Sequence, residues 1–122
     1  MADTPTSLQQ LKRLYVSLSG TVESALIEIS EALGPEGLKN DYDKVLRRRI
    51  ESLGTHLWAG NMAAAANSAA HTAGGLTAQL SLYPGNDKVR GILTRMQESM
   101  SNYAALCMGK DVLELQEPSH SL

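Results

Sequence analysis

Cysteine and histidine carry most nucleophilic and metal chemistry in proteins, and this 122-residue chain has few of them: Cys107, His56, His71 and His120. One cysteine excludes an intramolecular disulfide and a multi-cysteine zinc site. His56 and His71 are fifteen residues apart, and no pair sits at helical ligand spacing. A carboxylate-bridged di-iron bundle needs Glu-x-x-His motifs on two helices. The chain has one, Glu117-Pro-Ser-His120, in an expected tail. No metal and no cofactor is therefore expected. Cys107 follows Met96, Met100 and Tyr103 at helical spacing, so it reads as a small buried hydrophobe. Ser17, Ser19, Ser24 and Ser30 are not in a Gly-x-Ser-x-Gly elbow. Gly74-Gly75 lacks the lysine of a phosphate-binding loop. Glu28 and Glu31, three apart, read as a solvated helix face. The expectation is a protein without catalytic activity.

Two features are better suited to binding than to catalysis. Arg47-Arg48-Arg49 is the densest run of charge, and arginine pairs well with phosphates and acidic surfaces. Successive helical residues point 100° apart, so the three cannot form one stripe. Asp43 and Glu51 are each four residues from Arg47, positioned to neutralise it. Trp58 is the second feature. On a continuous helix it lies about 130° from the face that carries Tyr42, Leu46, Ile50, Leu53 and Leu57. It fits instead a stripe running through Met62, Ala65, Ala69, Ala73 and Leu76. Trp58 and Met62, at the point where the buried face changes, are the leading interface candidates, with Arg47, Arg48 and Arg49 beside them.

Four helices must position these residues. Helix 1 (5–33) carries a near-heptad seam from Leu8 through Leu11, Tyr15, Leu18, Val22, Ala25 and Ile29 to Ala32. Leu26 and Leu33 widen the seam toward a bundle face. Thr4 with Pro5 is the expected start, and Gly34-Pro35 the end. Gly20 is a possible kink. Helix 2 (41–59) ends at a break near Gly60, where Asn61 can cap the next helix. Helix 3 (61–82) is rich in alanine, the best helix former and the one that lets backbones approach closely. Tyr83 to Asp87 is a turn. Helix 4 (87–108) buries Val89, Ile92, Leu93, Met96, Met100, Tyr103 and Cys107. Beyond it, Val112, Leu113 and Leu115 read as a short docking arm. The domain is expected over 1–116, with a flexible tail at 117–122.

Hydrophobic residues are 43% and aromatics 4%, with no Phe. A core of Leu, Ile, Val, Met and Ala suits helices better than strands. The predicted fold is all-α, an antiparallel four-helix bundle. Helix 1 would be roughly 40 Å long and helix 2 roughly 28 Å. That mismatch leaves part of helix 1 for a second copy to cover, so a homodimer is expected. A formal charge of −2 lacks the basic excess of a nucleic-acid-binding protein. No apolar run approaches the roughly 20 residues that span a bilayer. Residues 1–5 lack the features of a signal peptide. A cytoplasmic protein without a membrane anchor is expected.

The functional expectation is a non-catalytic protein–protein interaction module: a small helical adaptor, chaperone, regulator or inhibitor. The alternative is a nucleic-acid-associated regulator using Arg47–Arg49. A third reading, a bundle that holds a small apolar ligand, needs a cavity among the alanines.

Overall fold

A computed structural model describes residues 7–109 of the chain. Four helices follow in order: α1 (Leu8–Leu33), α2 (Tyr42–Trp58), α3 (Met62–Leu80) and α4 (Asp87–Cys107), with a 3-10 turn at Lys39–Asp41 before α2. The described residues contain no strand. The expected docking arm and tail lie outside them.

The start of α1 differs from expectation. Ser7 caps it, and Thr4 and Pro5 lie outside the described residues. The Ser7 hydroxyl accepts the Gln10 amide N–H at 3.1 Å, while Gln10 Oε1 accepts the Ser7 N–H at 2.9 Å. This Ser-x-x-Gln capping box satisfies two donors reciprocally, which a lone threonine followed by proline would not do. The helix then runs through Gly20 without interruption.

The expected seams form the core. Leu11, Leu18, Val22, Ala25, Leu26 and Ile29 are buried on α1, and Tyr42, Leu46, Ile50, Leu53 and Leu57 on α2. Every apolar position predicted on α4 is buried, together with Ala104 and Ala105. On α3, Ala65, Ala66, Ala69, Ala73 and Leu76 are buried. The α3–α4 interface is the most extensive in the bundle, as expected where small side chains face the larger Leu93, Met96 and Met100. Helix α1 packs against both α4 and α2. Its hydrogen bonds and shared recesses run in opposite chain directions on the two helices. Leu11 meets Tyr103 while Glu28 and Arg95 line one recess, and Tyr15 meets Ile50 while Glu23 meets Arg47. Those are the contacts of an antiparallel bundle.

Three tyrosines tie helices together by side chain to backbone. Tyr103 donates to the Leu11 carbonyl at 2.6 Å, and Tyr15 donates to the Ile50 carbonyl at 2.8 Å. Tyr83 accepts the Lys39 N–H at 2.7 Å, so the turn after α3 closes one end of the bundle. Tyr42 is different: its hydroxyl is buried over Gly75 of α3 with no hydrogen-bond partner in the described structure. Desolvation dominates the upward shift of its pKa, and Arg49 opposes it. Removing an unpaired buried hydroxyl costs nothing in lost bonds, whereas removing a paired one does. Tyr42→Phe is expected to leave the urea midpoint unchanged or raise it by up to about 1 kcal/mol of stability. Tyr103→Phe is expected to lower it by about 1 kcal/mol or more. Equal losses in the two variants would show that Tyr42 is bonded after all.

Candidate functional site

The break between α2 and α3 is built from three residues. The Gly60 N–H donates to the Leu57 carbonyl and the Asn61 N–H to the His56 carbonyl, at 3.0 and 2.9 Å. This is a Schellman closure, with Gly60 at φ +79°, a backbone state glycine adopts without steric cost. Asn61 then caps α3 by accepting the Ala64 N–H at 3.1 Å. The chain reverses here within Ala59 and Gly60, leaving Trp58 as the last residue of α2 and Met62 as the first of α3. Both are exposed rather than buried in the α3 stripe: the reversal takes Trp58 off the α3 wheel, and Met62 stands at the end of the helix, a turn before the first buried alanine.

Trp58 is 52% exposed, and its inner edge is held from α1. The Tyr15 ring meets it edge to face, centroids 5.6 Å apart and planes at 69°. Lys12 Nζ stands 5.3 Å from the indole centroid, a cation–π distance. Tyr15 is set by its bond to Ile50 and by Gly54, which leaves room for its ring. Among the described residues, the exposed large hydrophobics are Leu14, Val16, Ile27, Trp58, Met62 and Met108. All except Ile27 belong to the half of the bundle where α1 and α3 begin and α2 and α4 end. Lys12 and Arg13 are on the first turns of α1 in that half, and the first turn of α1 has no acidic residue.

The three arginines are not gathered at this end. Arg47 is eleven residues before Trp58, about 16 Å along the helix. Its guanidinium Nε donates to Glu23 Oε2 of α1 at 3.0 Å. The bonded partner is thus on another helix; of the expected pair, Asp43 adds a smaller electrostatic contribution from within α2. Arg47 and Glu23 are both about half exposed, so the pair adds little stability. Arg48 is exposed, and Arg49 is half-buried near Tyr42. The divergence expected from the helical wheel is present.

Cys107 is buried, and burial pushes its thiol up to about 11. A thiol held neutral in the core is no nucleophile at neutral pH. Burial also pushes the Tyr103 hydroxyl upward, with smaller contributions from Cys107 and Tyr15. The folded state therefore holds these protons more tightly than the unfolded chain. This contribution to stability is intact below about pH 9, the thiol's ordinary value, and is lost as pH rises from there through about 11. The thermal midpoint is expected to fall steeply over that window. Cys107→Ala is expected to flatten part of the fall, and identical profiles would show that the thiol is not buried.

Among the described residues, no three His, Cys, Asp or Glu side chains come together as a metal site. A recess of about 580 Å³ lies between α1 and α4, lined by Ser17, Thr21, Ser24, Ser99, Glu28 and Arg95 among others. It is open, mixes these polar groups with apolar Ala25, Ile92 and Met96, and has no α3 alanine in its wall. No helix among the described residues is long and apolar enough to cross a membrane. No family model, curated protein or solved structure matches this chain.

Proposed function

We propose that the chain is a non-catalytic protein-interaction module that docks through its Trp58 end and pairs there with a second copy. The observation that carries this reading is the concentration of exposed Leu14, Trp58, Met62 and Met108 in one half of the bundle. Large apolar side chains grouped on a surface mark an interaction site more often than scattered ones do. Tryptophan is also the residue most often found dominating an interface. Tyr15 and Lys12 hold the indole in one orientation, which lowers the entropy lost when a partner covers it. Such a module would serve as an adaptor, chaperone, regulator or inhibitor. A single buried cysteine fits a reducing compartment, and the proposal is of a cytoplasmic protein.

Sedimentation equilibrium of the wild type and Trp58→Ala, with circular dichroism on both, tests this. The expected result is a wild-type dimer whose dissociation constant rises roughly thirty-fold in the variant, as loss of a 2 kcal/mol hot spot implies, with helicity unchanged. A monomeric wild type, an unchanged dissociation constant, or loss of helicity in Trp58→Ala would each overturn it. Nucleic acid retarded in a salt-sensitive manner, and lost in Arg48→Ala, would favour the alternative of a regulator acting through Arg47–Arg49.

A further inference from the structure

We infer that the second copy lies antiparallel along the outer face of α1, so that each protomer's Trp58 end receives the acidic half of its partner's α1. This rests on the reading that two copies pair at that end, and it names the surface they use.

The surface is one stripe. Arg13, Ser17, Gly20, Ser24, Ile27 and Glu31 follow one another along α1 at alternating steps of four and three, and all six are exposed. At 100° per residue they fall within about 80° of one another, on the side away from buried Leu11, Leu18, Val22 and Ile29. The stripe is about 27 Å long at 1.5 Å per residue. Among the described residues, neither Arg13 nor Glu31 has an ion-pair partner.

Two features of α1 have no use within one protomer. Gly20 is a poorer helix former than alanine, yet a Cβ there would meet nothing within 4 Å. The charges also run against the helix's own dipole, which favours anions at the N-terminal end and cations at the C-terminal end. Lys12 and Arg13 lie in the first half of α1, whereas Glu23, Glu28 and Glu31 lie in the second.

A second copy accounts for both. The stripe is palindromic about the level of Val22, as a two-fold interface requires. In an antiparallel pair, Arg13 lies opposite the partner's Glu31, Ser17 opposite the partner's Ile27 and Gly20 opposite the partner's Ser24. The unlike charges attract at both ends and set the register. The small centre lets the two backbones approach closely. A parallel pair would instead put Arg13 against Arg13 and Glu31 against Glu31. Ile27, the exposed large hydrophobic in the other half of the bundle, is carried by this pairing toward the half where Lys12 and Tyr15 hold Trp58.

The test is sedimentation equilibrium at low ionic strength on full-length wild type, Arg13→Glu, Glu31→Arg and an equimolar mixture of these two variants. Circular dichroism checks each protein, and both positions are exposed. Each variant alone meets like charges at both ends, so its dissociation constant is expected to rise about ten-fold or more. In the mixture a heterodimer has unlike charges at both ends, and association is expected to return to within about three-fold of wild type. Gly20→Leu is expected to weaken pairing by about ten-fold or more with helicity unchanged, because only the partner's backbone is in its way. A mixture that associates no better than its components overturns the inference. Tighter association of Arg13→Glu with wild type than of wild type with itself also overturns it, because Arg13 would then face Arg13. An unchanged dissociation constant in Trp58→Ala, with the mixture restored, would overturn the Trp58 reading alone, so the two failures are separable.

Discussion

Gly54→Ala is expected to destabilise the bundle by about 2 kcal/mol, although alanine is the better helix former by about 1 kcal/mol. A Cβ at position 54 would lie 2.6 Å from the Tyr15 hydroxyl oxygen and 2.7 Å from its Cζ. Those atoms are not a free side-chain tip. The hydroxyl is fixed to the Ile50 carbonyl, and the ring edge is packed on Trp58. Displacing the ring loses a hydrogen bond worth about 1 kcal/mol and incurs an overpacking cost of about 1–3 kcal/mol. Together these exceed the gain in propensity. The decisive measurement is a double-mutant cycle in urea. With Tyr15→Leu in place the obstruction is gone, and Gly54→Ala is expected to become stabilising by up to about 1 kcal/mol. If Gly54→Ala destabilises equally in both backgrounds, Tyr15 is not what position 54 accommodates. The same variant is expected to change Trp58 emission, because the tyrosine that braces the indole has moved.

Gly54 also shows where reading the chain stopped. The large apolar residues on the core faces of α2 and α4 were legible, since burial on a helix face follows directly from 3.6-residue periodicity, whereas buried Gly54, Ala104 and Ala105 were not. The break at Gly60 was legible because glycine followed by a capping asparagine has a local geometric meaning. What could not be read were relations between helices. Nothing local links Glu23 to Arg47, twenty-four residues apart, so the sequence pointed to Asp43 and Glu51, of which Asp43 contributes only the smaller part. Nothing local marks Gly54 as the place where Tyr15 enters, or Lys12 as the cation over Trp58. The interface candidates divide on the same line. Trp58 and Met62 flank one short turn and are both exposed, whereas Arg47, Arg48 and Arg49 point to different sides of α2. The Ser7 cap was within reach, since Ser-x-x-Gln is a sequence signal, but the Thr-Pro pair just before it was the more conspicuous start.

Ala69→Leu is expected to cost about 3 kcal/mol, the upper end of the usual overpacking range. Leucine and alanine are both good helix formers, so local preference does not oppose the substitution. Opposition comes only from the neighbour. Ala69 is fully buried on α3, which makes its most extensive interface with α4. The α4 side of that interface includes fully buried Leu93, Met96 and Met100. Three added carbons have no space unless the helices separate, and separation gives up close packing along neighbouring turns. Ala63→Leu is the matched comparison, because Ala63 is on the exposed side of the same helix. It is expected to shift stability by no more than about 0.5 kcal/mol. Urea denaturation of the two variants separates the cause: the same added volume on one helix changes only which side receives it. If both variants unfold at the wild-type midpoint, α3 does not lie close against α4. The alanine run would then reflect helix propensity alone. If Ala69→Leu alone falls, the alanines set the spacing of the bundle, and with it the position of the α2–α3 corner that presents Trp58.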